Sequence, residues 1–428
     1  MKQKIIRNIS WLFFDKITRI LGGLVIGIWV ARYLGPNDFG VLNYGLAYAS
    51  FFVVFVNLGL NQIVVREIVK KPKITNYLLG TAFGLKLIGS IIGLILVFFS
   101  LFFVEADGAI KAVILIISVG FIFQSVDVID YFYQSQVLSK YVVMARNTAF
   151  ILSSLLKVYF IVFEYSVIYF ALTNIIDLAF SGLFLFVIYK KNGFAISKWK
   201  FSKRKAIELL KFSWPLALSM FLIAIYMKVD QIMIGNMLDS QQVGIYSVAV
   251  RLAGFWIVIP SVLVSTLMPY FVNLREKNNP LYHARLLQLY SLMFWMSVFV
   301  GTGAIIFGES TIRLLFGEAY VEAYAALTLN IWNGIFVSQA IARSIWMMSE
   351  NLQKYRLYNN IIAVTLNVMV NMLLIPRLGI TGAALATLIT QGLGTWVFSF
   401  LWKPLRASTW GMIRSINPVY LINLKRNS

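Results

Sequence analysis

Runs of about 20 mostly apolar residues recur along this chain of 428 residues, and they constrain its fold more than any other feature. A helix of that length spans the hydrocarbon core of a lipid bilayer. Twelve such runs lie between charge-rich or turn-rich breaks, at residues 9–31, 41–64, 78–103, 110–133, 142–163, 165–189, 212–235, 243–272, 284–307, 322–348, 356–375 and 381–402. The sequence therefore predicts an all-α integral membrane protein with twelve transmembrane helices.

The composition excludes several other classes of protein. Charged residues make up 13% of the chain, about half of what a soluble globular protein carries. The absence of cysteine excludes disulfides, cysteine-ligated zinc and a cysteine nucleophile, and His283 is the single histidine. The breaks between spans are too short for a soluble domain, and neither a Walker motif nor an Asp-x-Asp pair in an outer loop occurs. We therefore expect neither an enzyme nor a protein with a cofactor or a metal.

The basic residues predict the orientation of the chain in the membrane. If the N-terminus is cytoplasmic, 27 of the 38 Lys and Arg residues fall in cytoplasmic segments and four fall in outer loops. Acidic residues show the opposite bias, with eight outside and four inside. The positive-inside rule then places both termini in the cytoplasm. The net charge of +21 is then explained by this topology and by contact with anionic lipids, and it does not indicate binding of nucleic acid.

The chain divides around its longest polar break into two halves of six predicted spans. The expected organisation is an N-terminal lobe at 1–189, a basic cytoplasmic linker at 190–211, a C-terminal lobe at 212–402 and a basic cytoplasmic tail at 403–428. Residues 30–41 echo residues 234–245, with Gly40 and Gly244 in register. An even number of spans per half predicts parallel repeats, an arrangement typical of transporters. Two unrelated hairpins that share glycine-rich turns remain an alternative. The first span is expected to be a retained helix rather than a signal peptide, because three charges interrupt it.

Several stretches of the sequence resemble a known family of membrane transporters. The most specific stretch is residues 31–40, which read ARYLGPNDFG. The others are NISWLFFDK at 8–16, LGL at 58–60, VVRE at 64–67, VDQIMIG at 229–235, GIYSVA at 244–249 and GITGAA at 379–384. Together they resemble the polysaccharide-biosynthesis flippases, which are Wzx-type repeat-unit transporters of O-antigen or capsule within the multidrug/oligosaccharidyl-lipid/polysaccharide exporter (MOP) superfamily.

This resemblance implies a fold, a substrate and a set of partners. The fold would be the MATE-like MOP fold, with two six-helix lobes. The substrate would be an undecaprenyl-pyrophosphate-linked oligosaccharide that moves from the cytoplasmic to the outer leaflet of a bacterial inner membrane, coupled to H⁺ or Na⁺. A polysaccharide polymerase and a chain-length regulator are candidate partners, besides membrane lipids. The nearest alternative within the superfamily is a MATE-like exporter of cationic drugs or metabolites.

Charged residues within the predicted spans are the candidates for function, because the bilayer rejects a charge that has no partner or water. With the charges near the span ends (Lys111, Arg146, Arg285, Glu322 and Arg356) assigned to the adjoining loops, seven such residues are basic and five are acidic, which favours an anionic substrate. Arg19 and Asp177 would lie near the midplane at about 15 and 18 Å depth, and Lys86 and Arg251 at about 12 Å. The basic residues expected to line a cavity for pyrophosphate and glycan are Lys16, Arg19, Lys86, Lys157 and Arg251. The candidates for ion coupling or gating are Asp15, Asp177 and Asp230.

The charges of the first span allow two interpretations. Asp15 and Arg19 are four residues apart, so they share a helix face and are able to form an ion pair with a structural role only. Lys16 and Arg19 also share a face, and a guanidinium binds phosphate well because its planar fork donates two parallel hydrogen bonds. The functional hypothesis is that Lys16 and Arg19 meet the pyrophosphate of the substrate.

Overall fold

The computed structural model describes residues 2–277, 279–350 and 352–422. All regular secondary structure in this part of the chain is helical. The α-helices are α1 Lys2–Asn57, α2 Leu60–Lys70, α3 Thr75–Ser100, α4 Gly108–Val119, α5 Val128–Ser135, α6 Ser139–Val162, α7 Val167–Lys191, α8 Lys203–Met237, α9 Ser240–Lys277, α10 Asn279–Phe316, α11 Ala323–Ser349, α12 Gln353–Gly392, α13 Arg406–Arg414 and α14 Val419–Ile422. A 3₁₀ stretch, Gly120–Asp127, joins α4 to α5, and a π-helical stretch, Leu393–Val397, follows α12.

Ten segments of the described chain are long and apolar enough to cross a membrane, and two of them contain a break at a glycine. In α1 the break is at Gly35, where φ is 69°, and in α12 it is at Gly379, where φ is 59°. Positive φ angles are accessible to glycine without steric cost, so each long segment divides there into two predicted spans. The predicted break at 163–166 is also confirmed, because α6 ends at Val162 and α7 begins at Val167. The all-α fold class with twelve membrane helices is therefore confirmed.

The chain forms two compact units whose boundary lies between Lys228 and Val229, inside α8. The first unit has an apolar core that includes Leu60, Leu79 and Leu185, all fully buried. The second unit has its own core, in which Tyr282, Met293 and Leu405 are fully buried. The lobe limits of 1–189 and 212–402 stay predictions.

Large apolar side chains also cover the outer surface of the helices. Phe103, Phe299 and Leu314 are among the most exposed, at 89%, 80% and 74%. A soluble protein does not usually present long helices of this kind to water, whereas lipid tails solvate them without cost. Within the first unit, α3 approaches α1 so closely that a Cβ on Gly89 would overlap the carbonyl oxygen of Phe55. The absence of a side chain at Gly89 thus permits this close helix packing.

Candidate functional site

Two irregular stretches of backbone lie beside the buried amine of Lys86. The first is the junction of α1 and α2, where Leu58 and Gly59 both have positive φ angles of 48° and 64°. Glycine is required at 59, because a Cβ there would also lie 2.6 Å from the carbonyl oxygen of Ser213. The second is the 3₁₀ stretch between α4 and α5, which ends at Asp127. Irregular backbone in a membrane protein is tolerated where protein or water satisfies its polar groups, and 3₁₀ turns inside long helices often mark functional hinges.

Lys86 itself is fully buried on α3, and polar groups from both irregular stretches surround its amine. Its Nζ lies 3.8 Å from Asp127 Oδ2 and donates to Tyr131 Oη at 3.3 Å. Asn57, the last residue of α1, accepts from the same amine through its Oδ1 at 3.5 Å. A buried ammonium needs such partners, since an unpaired charge in a low-dielectric interior is strongly unfavourable. Lys86 therefore joins α1, α3 and the start of α5 electrostatically.

Further ion pairs extend from Lys86 to α6 and α1. Arg146 Nη2 lies 2.9 Å from Asp130 Oδ2 and 3.9 Å from Asp127 Oδ1. The carbonyl oxygen of Arg146 accepts from Arg19 Nη2 at 2.6 Å, and Arg19 Nε pairs with Asp15 Oδ1 at 3.2 Å. We call these six residues the N-terminal charge cluster: Asp15, Arg19, Lys86, Asp127, Asp130 and Arg146. It contains three basic and three acidic groups, so it is neutral as a whole.

The cluster is buried at one end and accessible at the other. The side chains of Lys86 and Asp130 are 0% and 6% exposed, whereas that of Arg19 is 31% exposed. Arg19 has five N–H donors, and its contacts with Asp15 and the Arg146 carbonyl use two of them. Lys16 is exposed on the adjoining turn and makes no ion pair within the described residues. The accessible end therefore offers unused N–H donors to an anion.

The second unit contains a carboxylate that neutral side chains surround. Asp230 on α8 is 8% exposed, and it accepts from Tyr246 Oη at 2.8 Å and from Thr387 Oγ1 at 2.6 Å through Oδ2. Its Oδ1 accepts from Asn371 Nδ2 at 2.7 Å. Asn367 completes the group, because it donates to Thr387 and accepts from Asn371, each at 3.2 Å. We call these five residues the Asp230 centre. In the described part of the chain, Asp230 forms no salt bridge with Lys or Arg.

Among the described residues, one oxygen of the Asp230 centre has no hydrogen-bond donor. Asn371 is fully buried, and its Oδ1 accepts from none of the residues that the structure describes. A carboxylate without a cationic partner, next to an unsatisfied amide oxygen, is a combination that a proton or a small hard cation would satisfy. The centre is thus chemically suited to bind a cation.

The remaining candidates lie elsewhere on the helices. Asp177 is half-buried on α7 and accepts from Ser153 Oγ at 3.2 Å. Lys157 on α6 and Arg251 on α9 are half-buried as well. The structure thus brings Asp15, Arg19 and Lys86 into one cluster, and it places Asp230 in a different centre.

Sequence reasoning missed several members of both sites. Arg146 lies near the start of the predicted span 142–163 and is assigned to the adjoining loop by the sequence analysis, yet it contacts both Asp127 and Asp130. Tyr246, Asn371 and Thr387 are neutral, so an inventory of charges did not select them. The spacing of Asn367 and Asn371, four residues apart in an apolar span, was an available signal, because it puts two amides on one helix face.

Comparison with solved structures gives the fold family of this molecule. The fold is similar to that of a multidrug resistance MATE family transporter of the MOP superfamily in an inward-facing conformation, with a TM-score of 0.74, 14% identity, and coverage of 98% of this chain and 100% of the other. It is also similar to the lipid II flippase MurJ, with a TM-score of 0.69, 16% identity, and coverage of 99% and 94%. These likenesses confirm the MATE-like MOP fold.

The sequence itself gives the family. The family described as "Polysaccharide biosynthesis protein" matches residues 5–275, and the chain belongs to this family. A relative from Staphylococcus aureus, the capsular polysaccharide biosynthesis protein CapF, is 22% identical over 416 residues, which are 93% of this chain and 99% of the relative. The chain is therefore a multi-pass membrane protein of the polysaccharide biosynthesis family, which is a transporter family rather than a family of enzymes.

The N-terminal charge cluster predicts a coupling between Arg146 and Asp130. Arg146→Gln leaves the buried Asp130 carboxylate without its cation, so we expect a loss of stability of about 1–3 kcal/mol. Asp130→Asn in the same chain should restore part of that loss, because the double variant has no unpaired charge at this pair. The thermal midpoint in detergent, measured for both single variants and the double variant, tests this coupling.

The exposed pair Glu309–Arg313 provides the control. Both side chains are 51% exposed, so Arg313→Gln, Glu309→Gln and the double variant should each change stability by about 1 kcal/mol or less. Strictly additive effects of Arg146→Gln and Asp130→Asn would contradict the pairing.

Proposed function

We propose that this protein translocates a polyprenyl-pyrophosphate-linked oligosaccharide, with undecaprenyl as the carrier, from the cytoplasmic to the outer leaflet. The observation that carries the proposal is membership of the polysaccharide biosynthesis family over residues 5–275. A relative that acts in capsular polysaccharide biosynthesis and a fold shared with a lipid II flippase support the same substrate class. The product would serve the synthesis of O-antigen, capsule or exopolysaccharide.

The charges of the chain fit an anionic substrate better than a cationic one. Apart from the charges assigned to the adjoining loops, seven basic residues and five acidic ones occupy the predicted spans. At the accessible end of the N-terminal charge cluster, Lys16 and Arg19 supply N–H donors that ion pairs do not consume. We infer that these two residues meet the pyrophosphate, with Lys157 and Arg251 as further candidates for contact with the substrate. Lys86 is fully buried, so it is a candidate to act on the substrate through its ion pairs. A cationic drug would find no excess of carboxylates in these spans, so the exporter alternative is the weaker one.

We assign ion coupling to the Asp230 centre. Translocation of a large anionic lipid needs a driving force, and transporters of this architecture expose their sites alternately to the two sides. Binding of a proton or of Na⁺ to Asp230 would change the net charge of the centre and the hydrogen bonds that join α8 to α9 and α12. Asp230 is therefore preferred to Asp15 and Asp177, which are the other candidates for coupling or gating.

The membrane that suits this function is a bacterial plasma membrane. The distribution of basic residues favours cytoplasmic positions for both termini. The direct partners would then be membrane lipids, the lipid-linked oligosaccharide and H⁺ or Na⁺. A polysaccharide polymerase and a chain-length regulator would act on the product, whereas no role is proposed for nucleic acid.

Loss of the protein should cause accumulation of its substrate. We expect mass spectrometry of lipid extracts from cells without this chain to show an oligosaccharide on polyprenyl pyrophosphate, together with loss of surface polysaccharide. In cells that express Lys16→Gln/Arg19→Gln, export should fall about tenfold or more, because two charge-assisted contacts are lost. Arg377→Gln is the matched control, since Arg377 is an exposed basic residue of a predicted outer turn.

Two outcomes would contradict this account. Unchanged lipid carriers, combined with greater sensitivity to cationic compounds, would indicate the exporter function. Normal export by a normally inserted Lys16→Gln/Arg19→Gln variant would remove these two residues from the substrate path but leave the substrate class intact.

Substitution of Asp230 and of Asp177 should show which of the two carboxylates couples transport to an ion gradient. Asp230→Asn preserves the shape of the side chain but removes the group that binds a cation, so we expect transport that no longer responds to a proton or Na⁺ gradient. Asp177→Asn should retain the response, because Asp177 accepts only the Ser153 hydroxyl among the contacts described. Transport into vesicles under each imposed gradient distinguishes the two ions. The reverse pattern, with loss only in Asp177→Asn, would move the coupling site to α7.

A further inference from the structure

The helix α13, which precedes the short helix α14, is a fixed part of the second unit. Leu405 and Met412 are fully buried in the core that contains Tyr290 and Trp346. Ser408 Oγ hydrogen-bonds to Tyr290 Oη at 2.9 Å. Gln339 Nε2 donates to the Met412 carbonyl oxygen at 3.3 Å and to Ser415 Oγ at 3.1 Å. These buried polar contacts hold α13 against α10 and α11 in one position.

A cavity of about 530 Å³ lies between α13, α10 and the end of α11. Its inner wall contains the buried rings of Tyr290 and Trp346, and its outer wall contains the exposed side chains of His283, Trp410 and Arg414. No Asp or Glu lines it among the described residues. The cavity therefore combines an aromatic wall with an uncompensated basic rim.

The hydroxyl pair inside the cavity has an unused donor. In the contact between Ser408 and Tyr290 either oxygen is able to donate, and only one hydrogen is consumed. The second hydroxyl hydrogen has no acceptor within the described residues, although Tyr290 and Ser408 are only 1% and 6% exposed. A buried donor of this kind is unfavourable unless a ligand or water accepts from it.

The sequence after Glu350, which includes α13, carries only positive charges. Glu350 is the last acidic residue of the chain, and eight basic residues follow it: Lys354, Arg356, Arg377, Lys403, Arg406, Arg414, Lys425 and Arg426. Trp410 on α13 is 54% exposed, with its ring 5.4 Å from that of Phe400. Tryptophan and basic residues together are typical of a segment at the interface of an anionic leaflet.

We propose that this cavity binds the headgroup of an anionic phospholipid from the leaflet next to α13. Arg414 would form paired hydrogen bonds with the phosphate, since a guanidinium matches two phosphate oxygens at once. His283 and the free hydroxyl hydrogen of the Tyr290–Ser408 pair would donate from the other side. The rings of Tyr290 and Trp346 would contact the glycerol and the first methylene groups of the acyl chains. The site depends on the position of α13 at the membrane interface, and it is independent of the identity of the transported glycan.

Native mass spectrometry of the purified full chain tests the charge requirement of the site. We expect one phosphatidylglycerol molecule to be retained more strongly than phosphatidylcholine with the same acyl chains. Arg414→Gln should weaken that retention about tenfold, because a charge-assisted pair of hydrogen bonds is lost. Arg406→Gln is the matched control on the same helix: it removes the same charge, but Arg406 is exposed and donates to the Phe400 carbonyl oxygen. Equal loss in both variants would overturn the proposal in favour of diffuse attraction to a basic surface.

The single histidine provides a second measurement that needs no variant. In a chain purified without a histidine tag, every imidazole signal in an NMR spectrum comes from His283. Titration with phosphatidylglycerol should shift these signals, whereas phosphatidylcholine should leave them unchanged. An absent shift, or the same shift with both lipids, would overturn the proposal. An equal shift with inorganic phosphate alone would also overturn it, because the ligand would then be a free anion rather than a lipid.

Discussion

Charged side chains buried within this protein have to be satisfied inside their own helix bundle, and the positions of the helices depend on that constraint. Hydrocarbon offers neither water nor counterions, so an isolated charge would be excluded or neutralised. In the first unit, opposite charges meet each other: Lys86 contacts Asp127, and Arg146 contacts Asp130. The first contact joins α3 to the 3₁₀ stretch, and the second joins α5 to α6. Hydrogen bonds from Lys86 to Asn57 and from Arg19 to the Arg146 carbonyl oxygen connect α1 to them.

The second unit satisfies its buried carboxylate in a different way. Asp230 receives three hydrogen bonds from neutral groups on α9 and α12, and no basic side chain of the described residues pairs with it. A carboxylate paired with arginine has its charge compensated already and does not require a further cation. A carboxylate that has only neutral hydrogen-bond donors keeps its negative charge uncompensated, so it is able to bind a proton or a small cation. This difference explains why we assign ion coupling to the second unit rather than to the first.

The sequence predicts the course of the helices well but the sites only partly. Helix breaks are local: the Gly35-Pro36 turn and the polar stretch at 163–166 are visible in the sequence, and the structure has breaks at both. The partners of a buried charge are not local. Asp230 and Thr387 are 157 residues apart, and no periodicity within one helix connects them. Arg146 was missed for a related reason, since its place beside Asp130 depends on how α5 and α6 pack rather than on its distance from the membrane surface.

Transfer of a lipid-linked oligosaccharide across a bilayer by the purified protein is the most direct test of the account. The protein would be reconstituted in liposomes that carry a polyprenyl-pyrophosphate oligosaccharide in one leaflet, and accessibility of the glycan to an added glycosidase would be followed over time. We expect exchange between leaflets that accelerates when a proton or Na⁺ gradient is imposed, and that loses this acceleration in Asp230→Asn. Exchange no faster than in protein-free liposomes, with the chain folded and the gradient intact, would contradict the central claim.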